Sequence, residues 1–203
     1  MAHPLPLELL YKWEKTYPNK IYLNQPINGV METWTWLEAG DEVRRMAAAL
    51  QQMRLPSHSN IGLLSKNCAH WIMCDLAIMM AGHVSVPLYP NLSADSIRQI
   101  LEHSNVPVLF VGKLDNWAAM KPGVPDNIKC ISFPFYGPPE FTSWGDLIKQ
   151  NEPLKMDIHR DGNEPGTIIY TSGSTGKSKG VMHKLSNYAF ASSHIASFAK
   201  LTP

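Results

Sequence analysis

Cysteine, net charge and uninterrupted apolar stretches are all scarce in this sequence, and each scarcity removes a class of protein. Only Cys68, Cys74 and Cys130 are present, with no Cys-x-x-Cys pair and no even set. A disulfide scaffold is therefore excluded, and three reduced thiols in a cytoplasmic protein are expected. The net charge of +1 provides no basic field for nucleic acid or an anionic membrane. The longest apolar stretch, Cys68 to Leu88, is interrupted by Asp75, His83 and Pro87, too often to span a bilayer, which leaves at most peripheral membrane contact. The opening MAHPLPLELLYKWEK lacks the basic segment and apolar core of a secretory signal. Eight histidines occur, yet no His-Glu-x-x-His spacing joins them, so no metal site is assigned to this chain. Internal repeats and low-complexity tracts are also missing.

What is present suffices for one substantial core. At 203 residues and 44% hydrophobic, the chain is expected to form one domain or slightly more. Leu5 to Tyr17 reads as a helix stopped by Pro18. Ile21–Leu23 and Met31–Thr35 read as strands around a turn at Asn28-Gly29. Thr35 and Glu38 have capping-box spacing before a helix with Val43, Met46, Ala47, Leu50 and Met53 on one stripe. Asn60–Ser65, Val84–Leu88 and Val106–Val111 read as strands. They alternate with a nearly all-apolar helix over Ala69–Met80 and a Ser93-capped helix carrying Ile97, Ile100 and Leu101. Such alternation predicts an α/β fold, a parallel or mostly parallel sheet flanked by helices with right-handed crossovers. Lys121 to Pro165 reads as a surface connection containing one strand, Ile128–Phe133, and one short helix, Ser143–Gln150.

The rest of the chain is organised around TIIYTSGSTGKSKG, Thr167 to Gly180. Ile168, Ile169 and Tyr170 favour a strand. Gly173, Gly176 and Gly180 let backbone N–H groups approach a ligand closely. Thr171, Ser172, Ser174 and Thr175 offer hydroxyl donors, and Lys177 and Lys179 offer positive charge. Phosphate suits that donor set. A Walker loop would need glycine at position 171, which is threonine, so the kinase and ATPase reading loses its support. A flexible Gly/Ser linker is the plain alternative, but a linker would not be fused to a buried strand and followed by a helical pattern. That pattern starts at Ser186, a candidate cap, with Tyr188, Ala191, Ile195 and Phe198 on one face.

YTSGSTGKSKGVMH resembles the phosphate-loop motif of the adenylate-forming superfamily, which includes acyl-CoA synthetases, peptide-synthetase adenylation domains and luciferases. Ser178 stands where the motif usually has proline, and Lys184-Leu185 stand where Thr-His is common, so His183 inherits no role. WTWLEA and MMAGHVSVPLYPNLSADSIRQIL resemble two structural motifs of the family, the second in a form closer to long-chain fatty acid–CoA ligases. The resemblance implies the first part of a large N-terminal domain, with 1–160 an α/β subdomain and 161–203 the strand, phosphate loop and following helix. It implies ATP with magnesium, a carboxylic acid and coenzyme A as substrates and cofactor. The phosphate-binding residues it implies are Thr171, Ser172, Gly173, Ser174, Thr175, Gly176, Lys177, Lys179 and Gly180, with Lys177 the most solvated. It places no confident catalytic residue here, and it implies that the chain alone does not turn over, because the adenine, ribose and catalytic-lysine motifs lie further on. An enzyme adenylating aryl or amino acids and a non-catalytic nucleotide-binding module remain the alternatives.

Ser172 and Ser174 are poor nucleophile candidates, with no Gly-x-Ser-x-Gly elbow and no triad partners. His70, His83 and His103 are expected within structural elements, and Trp71, Met73, Met79 and Met80 within a core. Asp41 and Asp95 are read as helix-dipole partners.

Overall fold

The computed structural model describes residues 3–171 and 178–198, with 195–198 described by backbone alone. A helix α1 (Pro6–Thr16) leads into an antiparallel hairpin of β1 (Ile21–Ile27) and β2 (Val30–Thr35), which turns through Asn28 and Gly29 at φ +49° and +83°. Positive φ at both central positions is the geometry for which an Asn-Gly pair is suited. Helix α2 (Trp36–Gln52) starts at the expected capping box: Glu38 N–H donates to Thr35 Oγ1 at 3.2 Å and Thr35 N–H to Glu38 Oε2 at 2.8 Å.

The alternation then follows: β3 (Asn60–Leu64), α3 (Ala69–Met80), β4 (Val84–Leu88), α4 (Ala94–His103) and β5 (Val108–Val111). Ser93 caps α4 by accepting from Ser96 N–H at 3.3 Å. Helix α3 has a cap that its own sequence does not announce, since Gln25 Oε1 of β1 accepts from Ala69 N–H at 3.2 Å. Next come α5 (Trp117–Met120), a 3₁₀ turn over Lys121–Gly123, β6 (Lys129–Ser132), β7 (Thr142–Ser143) and α6 (Trp144–Gln150). The chain closes with β8 (Pro165–Thr171), β9 (Lys179–Lys184) and α7 (Leu185–Phe198).

Seven strands form one sheet in the order β7-β6-β5-β3-β4-β8-β9. Every neighbouring pair is parallel except β8 with β9. Ile61, Leu63, Val108, Phe110 and Ile131 point to one face, under α1, α2, α3 and α6. Leu64, Val86, Leu109, Val111, Ile168 and Tyr170 point to the other, under α4 and α5. Period-two alternation in strands covered on both sides explains why β3, β4 and β5 read as continuous apolar runs.

Three expectations need correction. Lys121 to Pro165 is more than a surface connection, because it supplies the two strands at one end of the sheet, β6 and β7, and the fully buried Trp144. Trp144 Nε1–H donates to Glu42 Oε2 at 2.7 Å and Trp34 Nε1–H to Glu42 Oε1 at 3.0 Å. Asp41 lies beyond the first turn of α2 and pairs with Arg45 at 2.6 Å, not with the helix dipole. Ser186 does not cap α7, which begins at Leu185. The backbone carbonyls of Glu164 and Gly162 accept from Leu185 and Ser186 N–H at 3.0 and 2.8 Å, so the preceding loop satisfies these first-turn donors. The side chains of Ile195 and Phe198, assigned to one helix face, lie outside the described residues.

Candidate functional site

Two elements hold the ends of the glycine-rich segment. Strand β8 runs parallel to β4, with Ser85 opposite Thr167, and Thr167 Oγ1–H donates to the Ser85 carbonyl at 3.0 Å in a buried setting. Strand β9 returns antiparallel to β8, pairing Tyr170 with Gly180 and Thr171 with Lys179. Strand β8 therefore ends at Thr171, and β9 begins at Lys179, on the carboxyl edge of the parallel strands. Ligands of open α/β sheets bind outside that edge.

Strand alternation distributes the stem residues between the faces. Thr167, Ile169 and His183 border a cavity of about 310 Å³ beneath α7, and Thr171 and Lys179 continue that face. Tyr170 and Gly180 lie on the opposite face, where Tyr170 is buried and its hydroxyl meets His103 Nδ1 at 2.7 Å. A Cβ at position 180 would sit 2.9 Å from Ile168 Cγ2 and 3.1 Å from Tyr170 Cζ. Gly180 thus makes room for the Tyr170 ring, a packing reason in addition to the one read from the motif. Tyr89, 55% exposed, directly follows the carboxyl end of β4, the strand beside β8.

The amino end of β8 is fixed by charge. Arg160 donates to Glu164 Oε2 at 2.6 Å and to the Met79 carbonyl at 2.8 Å, while His58 Nε2 lies 2.9 Å from the same Glu164 oxygen. Burial works to raise the Glu164 carboxyl, but hydrogen bonds from His58, the Asp161 backbone and Arg160 prevail and hold it down to about 2. Burial, with Arg160 and His58 nearby, pushes the His83 imidazole below its usual range. These groups secure the strand at the end away from the loop, and Gly166, where a Cβ would lie 2.7 Å from Leu185 Cδ2, lets α7 pack directly on it.

Of the residues assigned to phosphate, Thr171, Lys179 and Gly180 are exposed stem residues brought together by the β8–β9 register. Ser172, Gly173, Ser174, Thr175, Gly176 and Lys177 lie outside the described residues. Strand β9 itself was not anticipated. KGVMHK alternates weakly, and only pairing with β8 selects its extended form. His70 is buried in α3 and His103, at the end of α4, is exposed, whereas His83, expected within an element, is buried in the connection between α3 and β4. Met73, Met79 and Met80 are core, whereas Trp71 is only partly buried. Cys68, Cys74 and Cys130 are free thiols. Among the described residues, no group of three His, Cys, Asp or Glu side chains could hold a metal. No described helix is long and apolar enough to cross a membrane.

Comparison with known proteins agrees with this geometry. The profile of the AMP-binding enzyme family matches residues 10–201. The chain is 28% identical over 186 residues to the long-chain-fatty-acid–CoA ligase FadD15 of Mycobacterium bovis, covering 88% of this chain and 31% of that protein. It is 32% identical over 176 residues to fatty acyl-CoA synthetase A of Dictyostelium discoideum, covering 76% and 26%. The anthranilate CoA ligase AuaEII, solved with anthranoyl-AMP, shares the fold at a TM-score of 0.80 and 18% identity, covering 95% of this chain and 37% of that one. A benzoate CoA ligase from Burkholderia xenovorans does so at 0.75 and 17%, covering 94% and 36%. The chain thus spans about a third of the length of the curated relatives it matches. With its family profile matched almost end to end and its mostly parallel seven-stranded sheet, the chain belongs to the AMP-binding enzyme family, the adenylate-forming superfamily.

Proposed function

We propose that this chain is the amino-terminal part of an ATP-dependent, AMP-forming ligase that joins a long-chain fatty acid to coenzyme A in the cytoplasm. The observation that carries the reading is the hairpin. Its stems end at Thr171 and Lys179 on the carboxyl edge of the sheet, and the sequence between them is glycine, hydroxyl and lysine.

In this reading a carboxylate oxygen attacks the α-phosphorus of ATP, the bond to the β-phosphate bridge breaks, and pyrophosphate leaves. The coenzyme A thiol then attacks the acyl carbon and loses its proton, and AMP departs with its oxygen. Thr171, Ser172, Gly173, Ser174, Thr175, Gly176, Lys177, Lys179 and Gly180 hold the β- and γ-phosphates. Their N–H, hydroxyl and ammonium donors stabilise the charge that grows on the leaving pyrophosphate. Magnesium arrives with the nucleotide, and no step is assigned to a metal held by this chain. Residues 1–160 serve as the framework and 161–203 as the phosphate-binding element.

Exchange of labelled pyrophosphate into ATP tests the reading on the longest natural form of the protein. Exchange that requires palmitate is the expected result. Exchange driven by benzoate or an amino acid but not palmitate would replace the fatty acid with that class. Saturable ATP binding with no exchange would make the protein a nucleotide-binding module.

A further inference from the structure

A second cavity has no part in the phosphate site. It measures about 380 Å³, lies between α1, β1, the start of α2, α3 and α7, and takes none of its lining from β8 or β9. Trp13, Tyr22, Trp36, Trp71 and Tyr188 wall it, and Asp75 of α3 joins them. Tyr22 and Trp36 stack at 3.7 Å between ring centroids, with Trp13 tilted against Trp36 at 6.4 Å.

Asp75 is unusual in this setting. It is 6% exposed, its Oδ2 lies 3.5 Å from the Tyr188 hydroxyl, its Oδ1 is buried without a hydrogen bond of good geometry, and the buried Ser85 hydroxyl of β4, likewise without one, lies close enough to favour the charged carboxylate. No lysine, arginine or histidine is among the described residues lining the cavity, and Asp75 belongs to none of the ion pairs found among the described residues. A buried carboxylate without a counter-charge is costly unless something supplies one. Aromatic faces attract cations, and several around one space form the kind of cage that organic ammonium ions occupy.

We propose that this cavity is a binding site for a small apolar ammonium ion, held by the aromatic walls through cation–π contact and by the Asp75 carboxylate. The aromatic rings select the apolar body and the carboxylate selects the charge. Facing groups from the other elements do not compete. Burial pushes the Tyr22 hydroxyl up to about 12 and the Tyr188 hydroxyl and Cys74 thiol well above their usual values, so all three stay neutral. Burial pushes the Asp75 carboxyl up to about 6, so the site is anionic at neutral pH and loses its charge in mild acid.

Titration of the 203-residue chain with phenethylammonium, followed by tryptophan fluorescence, tests the site against 2-phenylethanol, a neutral molecule of similar shape. The ammonium should bind about tenfold or more tightly than the alcohol, the amount a single weak charge contact supplies. Asp75→Asn should remove that preference while circular dichroism stays unchanged. Lowering the pH from 7.5 to 5 should weaken ammonium binding about tenfold through protonation of Asp75 and leave the alcohol unaffected. Trp71→Ala provides a second variant at the cavity wall and should weaken both ligands. Equal affinity for ammonium and alcohol, no binding of either, or a preference that survives Asp75→Asn would each overturn the proposal.

Discussion

Strands β3, β4 and β5 and the edge strand β9 belong to one sheet but are built to opposite specifications. The first three lie inside the sheet with helices on both faces, and nearly every residue in them is buried. β9 is an edge strand with five of six residues exposed, including Val181 at 45% and Met182 at 62%. The contrast shows how one sheet divides its labour. Interior strands bury apolar area and set the position of the edge, while the edge strand leaves its side chains exposed. Arg160 and Glu164 tie the two regions together, fixing the start of β8 to the carbonyl that ends α3.

If stability resides in the interior and chemistry at the edge, substitutions should divide accordingly. The largest effect on folding is expected for Phe110→Ala in β5, whose ring is fully buried against Phe133 and Trp144. A loss of about 3–5 kcal/mol in chemical denaturation is expected. A loss below 1 kcal/mol would mean that the interior is not the stabilising region.

Asp75→Asn sharpens the comparison through pH. Burial raises the carboxyl from its ordinary 3.8 to about 6 in the folded chain. A raised acid favours folding while protonated, below its unfolded value, and that advantage is lost as pH rises through its folded value. Wild type should therefore lose up to about 3 kcal/mol between pH 4 and 7.5 from this group, and the uncharged variant should not. Denaturation curves at the two pH values measure the difference, and parallel pH profiles for the two proteins would count against it.

Thr35→Ala removes the cap of α2 and should cost about 1 kcal/mol. Urea midpoints report that loss. Lys179→Ala should change unfolding least, by less than about 0.5 kcal/mol, because its side chain is exposed at the sheet edge.

Much of the fold was legible because its signals were local. The Thr35/Glu38 box, the Asn28-Gly29 turn and the apolar runs of β3 to β5 each announce themselves within a few residues. What escaped depended on partners far away in sequence. Gln25 caps a helix 44 residues on, and Glu42 joins Trp34 and Trp144 across 102 residues. β9 becomes a strand only by pairing with β8. At the site, the motif named Thr171, Lys179 and Gly180, which the β8–β9 register brings together, and six further residues that lie outside the described ones. It could not reveal that Gly180 clears space for the Tyr170 ring, since that follows from packing and register. The Asp75 cavity was hidden for the same reason, because its aromatic walls come from five separate elements.

The central claim is that the hairpin loop binds nucleotide phosphates without contributing to stability. Calorimetric titration of ATP into the longest natural form, for wild type and Lys179→Ala, tests it most directly when paired with unfolding of the same samples. The account predicts that ATP affinity falls about tenfold or more, as expected for loss of a charge-assisted contact, with unfolding free energy unchanged. Unchanged affinity in a folded Lys179→Ala protein would contradict it.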